Sequence, residues 1–317
     1  MRKLRWGVLG VARIATVRVI PAMQKCALAE ITAIASRDHA RAETAAEELG
    51  IPKAYGSYED LLADPDIDVI YNPLPNHLHV PWSIRAAEAG KHVLCEKPIA
   101  MNAAEAAELI AARDRTGVVM GEAFMVQTHP QWVRARELVR SGRIGDLRAA
   151  VCSFGYFRPE AENIRNIREY GGGGLMDVGC YPIKMSRTIF GEEPVRVMGT
   201  LVRDPQFGTD ILTSAVLEFP SGHCIFTCST QIVPNQSMTF LGTKGRIDLE
   251  IPFNPVPGET SRIRVDNEVE EFAPCDQYTI QGDEFSKAVM DQGEPPVPLE
   301  DSLKNMKVID ALFAAAK

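Results

Sequence analysis

The 317-residue sequence contains no apolar run approaching the roughly 20 residues that a membrane helix needs, so no part of it is expected to cross a bilayer. It has no basic excess, since 34 Lys and Arg stand against 42 Asp and Glu for a formal net charge of -8. A general nucleic-acid surface, which must neutralise phosphates, is therefore not expected, whereas a local basic pocket for one anionic ligand is allowed. Paired cysteines are lacking too. The seven, at 26, 95, 152, 180, 224, 228 and 275, are odd in number, scattered and mostly set in apolar runs, the pattern of reduced thiols. Cys224 and Cys228 are the one close pair, and no further His or Cys completes a zinc spacing, so no metal site is expected. The basic start Arg2-Lys3-Leu4-Arg5 precedes an apolar stretch broken by Gly7, Gly10 and Arg13, too interrupted for a signal-peptide core. The expected location is cytoplasmic.

What is present fits an ordinary globular chain, 45% hydrophobic and 24% charged, long enough for about two domains. Strand and helix patterns alternate to about residue 122, which predicts a parallel doubly wound sheet over 1–122. Leu4 to Leu9 reads as a buried strand followed by small residues at Gly10, Ala12 and Ala15, the three places a dinucleotide-binding turn needs them. The second strand, Glu30 to Ala35, ends at Ser36-Arg37-Asp38, where the ribose is discriminated. Ser36 and Arg37 suit a 2'-phosphate and hence NADP, while Asp38 keeps NAD open. Two prolines hold Asn72-Pro73-Leu74-Pro75-Asn76-His77-Leu78-His79 extended before a helix that Asn76 can cap. The apolar strand Val93-Leu94-Cys95 stops at Glu96-Lys97-Pro98, which places an ionisable amine at a carboxyl-terminal strand edge, where open parallel sheets bind ligands. Val118-Val119-Met120 reads as the next strand.

From Leu147 onward the apolar residues alternate with period two, and turns at Thr243-Lys244-Gly245 and Asp266-Asn267 separate the runs. A largely antiparallel sheet in an α+β domain over 123–298 is expected, its open face available for subunit contact. Gly171 to Gly174 interrupts this pattern and leads into a helix on which Asp177 and Tyr181, four apart, share a face.

Taken together, Gly10 to Ala15, Pro75 to His79, Gly90 to Pro98, Glu122 to Met125 and Gly172 to Tyr181 resemble the Gfo/Idh/MocA family over almost the whole chain. Tyr181 brings the resemblance nearest to the glucose-fructose oxidoreductase and dimeric dihydrodiol dehydrogenase branch. The resemblance implies a Rossmann domain, an open-faced sheet that forms a homodimer or homotetramer, and a helix over 299–317 packing back on the first domain. It carries the family's lysine to Lys97, often with a cis Lys-Pro bond, its acid to Asp177 and its tyrosine to Tyr181. Cofactor contacts are expected from Gly10, Ala12, Arg13, Ile14, Ser36, Arg37, Pro73, Leu74, Asn76, His79, Glu96 and Lys97. Substrate contacts are expected from Phe124, Phe154, Tyr156, Arg165 and Arg168. Two departures fall on the substrate side: Gln127-Thr128-His129-Pro130 lacks the usual Arg, and an Asn-Ile-Arg element occurs twice, ending at Arg165 and at Arg168.

The expected activity is NADP-linked hydride transfer, with NAD possible, to or from a sugar, polyol or dihydrodiol-like group, the proton being handled by Lys97 or Tyr181. An NAD-dependent glycosidase and a non-enzymatic nucleotide sensor are the alternatives on the same fold.

Overall fold

The computed structural model describes residues 2–315, so the last two residues of the expected terminal helix, 316 and 317, lie outside the described residues. The chain forms two compact units, each made of two stretches: the residues up to Met125 with Asp276–Leu303, and Val126–Cys275 with the residues from Lys304 on. The divisions expected after 122 and 298 therefore move. Helix Gln277–Met290, which its place in the sequence assigns to the second domain, is committed to the first unit. Phe285 meets Trp6 edge-on at 5.6 Å, Asp283 accepts the Ala27 and Leu28 N–H groups, and the Thr279 hydroxyl donates to Ala22 O. Periodicity identifies such a helix but not the core it covers. The last helix, Leu299–Ala315, is divided between the units after Leu303 rather than belonging wholly to the first.

The first unit is built on six strands, β1 (Leu4–Leu9), β2 (Ala29–Ala35), β3 (Lys53–Tyr55), β4 (Val69–Asn72), β5 (His92–Glu96) and β6 (Met120–Ala123). All pair in parallel in the order β3-β2-β1-β4-β5-β6. β4, inside the sheet, is buried throughout, as a parallel strand covered on both faces must be, and β6 at the sheet edge is buried too, with Gly121 bridged to Pro298. Order reverses between β1 and β4, which opens a crevice at the carboxyl ends of the strands. β6 starts two residues later than the apolar run suggests, because the Val119 N–H donates to His92 Nδ1 instead of joining the ladder.

The second unit carries eight strands, β7 (Leu147–Phe157), β8 (Arg196–Arg203), β9 (Asp210–Phe219), β10 (Gly222–Ser229), β11 (Gln231–Gly242), β12 (Arg246–Leu249), β13 (Ser261–Val265) and β14 (Glu268–Phe272). Their order is β14-β13-β12-β11-β7-β10-β9-β8, and the β7–β10 pair alone is parallel. The sheet's inner face, with Cys152, Phe154, Leu217, Phe226 and Phe240, is buried. Its outer face carries an apolar row, Met198, Val216, Ile225 and Val151, each beside the next across four adjacent strands. Met198, Ile225 and Val151 are 38%, 49% and 45% exposed.

Candidate active site

In the first unit the turn after β1 is set by Gly10, whose φ of +82° falls in the left-handed region; a Cβ there would meet Leu74 Cδ2 at 2.9 Å. Exposed Arg13 and half-buried Ala12 and Ile14 follow, and then a π-helical turn over Ala15–Val19. At the end of β2, Ser36 is buried and its hydroxyl accepts the Asp38 N–H, while Arg37 is exposed. The Asp38 carboxylate caps helix His39–Leu49 by accepting the Arg41 N–H. Arg41, which sequence reasoning missed, donates back across the crevice to Val11 O at 3.0 Å. Burial pushes the Tyr58 phenol pKa up, and the Arg37 charge pulls the other way.

The loop after β4 is held from within. Asn72 Nδ2 donates to His79 O and Ser83 Oγ, and its Oδ1 accepts the Leu74 N–H. Pro73 and Leu74 are buried, and Asn76 opens a short 3-10 turn, Asn76–Leu78, rather than capping the helix after it. His79 is 1% exposed, with Nδ1 2.8 Å from Pro98 O and Nε2 2.7 Å from Leu74 O. Burial pushes its pKa down to about 4, against the two carbonyls, which favour the charged ring. The expectation that His79 donates to a cofactor is thereby corrected. Both ring nitrogens face backbone carbonyls, and the ring ties this loop to the turn after β5.

That turn contains a cis Lys97-Pro98 peptide bond and is fixed at three points. The Lys97 N–H donates to Glu96 Oε2 at 3.3 Å, Pro98 O meets His79, and the Ile99 N–H donates to Glu122 Oε1 at 2.9 Å. Glu96 is itself held by the Tyr71 hydroxyl at 2.6 Å. Lys97 is half-buried, while Val93 to Glu96 and Pro98 to Ala100 are buried. Tyr71 and Glu122 were not singled out as site residues, although Glu122 opens one of the family-like segments and is an acid within the buried run Met120–Ala123.

In the second unit Asp177 lies in a π-helical turn, Leu175–Gly179, that runs into helix Cys180–Phe190. The regular α-helical face expected for Asp177 and Tyr181 is thus replaced by a wider turn. Tyr156 donates its hydroxyl and Arg165 its Nε–H to the same oxygen, Asp177 Oδ2, the latter at 2.8 Å. Asp177 holds Arg165 firmly charged, and burial followed by the Asp177 charge pushes the Tyr156 phenol up. Tyr181 packs edge-on to Phe154 at 5.5 Å and beside Phe253 at 5.2 Å, and Phe154 stacks on Phe253. Phe253, fixed where its N–H donates to Gln236, lies in a stretch that reads as loop and was missed. Arg165 is therefore the Asn-Ile-Arg arginine that reaches the acid. Arg168 is exposed and lies beside Gly208. Phe124, expected as a substrate wall, is a buried side chain following β6 in the first unit.

Residues 4–124 match the model of an oxidoreductase family with an NAD-binding Rossmann fold, and residues 132–248 match that of the GFO/IDH/MocA C-terminal domain. An uncharacterized oxidoreductase of Rhizobium meliloti is 46% identical over 327 residues, covering 100% of this chain and 98% of the relative. The chain belongs to the Gfo/Idh/MocA family. A D-xylose 1-dehydrogenase (NADP(+)) of Haloferax volcanii is 40% identical to the enzyme over 320 residues, 99% of this chain and 98% of that one. The crystal structure of a 3-ketoreductase from Actinomadura kijaniata in complex with NADP and TDP-benzene superposes on the enzyme with a TM-score of 0.93 at 31% identity, covering 100% and 98% of the two chains.

It is an NAD(P)-dependent oxidoreductase with sugar-related relatives. The first unit fits the dinucleotide on its own geometry: a side-chain-free turn at Gly10, the β1/β4 reversal beside it, and the Arg37 and Arg41 guanidinium groups at the β2 end of the same edge. No described helix is long and apolar enough to cross a membrane.

Proposed function

We propose that the enzyme is an NADP-preferring dehydrogenase of small sugar-like or dihydrodiol-like alcohols in which Lys97 handles the proton. The observation that carries this reading is the three-point fixing of the Lys97-Pro98 turn at the carboxyl end of β5. Buried groups are spent on placing one backbone turn, and the amine that it carries sits at the edge where ligands bind. Gly10, Ala12, Arg13 and Ile14 hold the pyrophosphate, Pro73, Leu74 and Asn76 line the nicotinamide side, and Glu96 fixes Lys97. NADP preference is supported by exposed Arg37 and by Arg41 at the β2 end, and by Asp38 being occupied as a helix cap instead of offered to a ribose hydroxyl.

When bound, the nicotinamide supplies the hydride acceptor or donor. The chain's own groups do the rest. Lys97 Nζ takes the hydroxyl proton in oxidation and returns it in reduction. Asp177, already carrying the Tyr156 and Arg165 hydrogen bonds, acts as an orienting anion. Phe154 with Phe253 forms an apolar wall against the carbon face of the substrate. The outer apolar row is covered in a homodimer or homotetramer, and all seven thiols being free, six of them buried, suits the cytoplasm.

The test is Lys97→Met assayed with NADP+ and D-xylose, D-glucose and trans-1,2-dihydrobenzene-1,2-diol. Turnover is expected to fall by about a hundredfold or more with NADP+ affinity retained. A variant within about tenfold of the parent, roughly 1.4 kcal/mol, removes Lys97 from the chemistry.

A further inference from the structure

Asp210, the first residue of β9, is a buried carboxylate that the proposed chemistry does not use. Its Oδ2 accepts the Leu175 N–H at 2.7 Å and the Thr213 hydroxyl at 3.1 Å. A Cβ built on Gly173, whose φ is +121°, would lie 2.1 Å from Asp210 Oδ1, so the carboxylate occupies the space where any other residue would carry a side chain. The Gly173 peptide in turn joins both members of the Arg165–Asp177 pair. Its N–H donates to Arg165 O at 2.8 Å, and its C=O accepts the Asp177 N–H at 3.0 Å.

We infer that Asp210 is a positioning residue, which sets the Arg165–Asp177 pair by locking Gly173 and Leu175 from beneath. The inference rests on the proposed role of Asp177 in orienting substrate. Burial raises the Asp210 pKa, and the Leu175 N–H, the Thr213 hydroxyl and the Arg203 charge oppose it, so the carboxylate is kept in a costly place with donors arranged around it. A packing role alone is better served by an apolar side chain, whereas fixing a backbone N–H at the start of a π-helical turn needs an acceptor. Sequence reasoning had no means to find it: Asp210 lies far along the chain from Gly173, and the run Ile211 to Phe219 that it opens reads only as a strand.

The experiment compares Asp210→Ala, Asp210→Asn and Asp177→Asn, using NADP+ and D-xylose, or trans-1,2-dihydrobenzene-1,2-diol if that is the faster substrate. Asp210→Ala is expected to lower kcat/KM for the alcohol by about tenfold or more while changing the NADP+ dissociation constant by less than about twofold, and Asp210→Asn, which keeps an acceptor oxygen, to recover most of the loss. Parent-like kcat/KM in folded Asp210→Ala, or equal losses in alcohol turnover and NADP+ affinity, overturns the inference. So does failure of the Asn variant to recover. If Asp210→Ala does not fold, Thr213→Val decides: it removes one donor to the carboxylate and is expected to lower kcat/KM by about threefold with NADP+ affinity unchanged, and no change overturns the inference. A parent-like Asp177→Asn variant, or a parent enzyme that oxidises neither alcohol, instead overturns the site reading beneath it.

Discussion

At the scale of single residues, the proposed preference for NADP turns on two guanidinium groups and one carboxylate at the end of β2. Arg37→Leu is expected to raise the NADP+ dissociation constant by about tenfold or more, as loss of a charge-assisted phosphate contact does, and to leave NAD+ within about threefold. Titration of both nucleotides by protein fluorescence checks this, and equal weakening of the two would remove Arg37 from phosphate recognition. Arg37 was legible in the sequence because it follows the second strand directly. Arg41 was not, since its role depends on reaching back to Val11 O from inside a helix where it reads as a solvated residue. The same divide runs through the candidate site. Lys97 and Asp177 stand out because a charge interrupts an apolar or glycine-rich run. Tyr71, Glu122, Phe253 and Asp210 vanish into strand and loop patterns, because their partners are brought in by other segments. His79 was expected to face a cofactor and instead faces two backbone carbonyls, for a pattern cannot reveal which way a ring turns.

Among the elements, two π-helical turns, Ala15–Val19 and Leu175–Gly179, open the helices that follow the two glycine-bearing segments. Such turns add a residue without ending the helix and are frequent at functional sites. Periodicity read at 3.6 cannot register them, which is why the helix boundaries were legible and the Asp177–Tyr181 face was not. Helix Pro130–Arg140 shows a different device. Its cap is His129, whose Nδ1 accepts the Gln131 N–H, and whose Nε2 lies 3.4 Å from Cys275 Sγ. Burial pushes the His129 pKa down to about 4, while an unfolded chain binds that proton near 6.5. The unfolded state is therefore protonated first. Stability from this residue is complete above about pH 6.5 and is lost as pH falls toward 4, by about 3 kcal/mol in all. His129→Asn retains a cap and removes the titration, so the loss of stability between pH 7 and 5 is expected to shrink by about 2 kcal/mol in urea unfolding. An unchanged slope would assign the acid sensitivity elsewhere.

For the whole molecule, the proposed subunit contact is the outer row Met198, Val216, Ile225 and Val151. Ile225→Lys is expected to lower the mass measured by light scattering from an oligomer to a single chain, with unfolding at pH 7 changed by less than about 1 kcal/mol because the side chain is 49% exposed. A parent protein already of single-chain mass, or a variant of unaltered mass, rules out that face as the contact. The two-domain plan and the alternating face were readable from the change of period near Leu147; the membership of Gln277–Met290 was not. That membership also bears on how the protein is made. The strand set that leaves the ribosome first lacks Phe285 against Trp6, Asp283 against the lead-in to β2, and the Val297 carbonyl that takes the Glu122 N–H. Its closing pieces are translated only after the whole of Val126–Cys275. A nascent Rossmann sheet therefore waits, part-finished, while its successor is being synthesised.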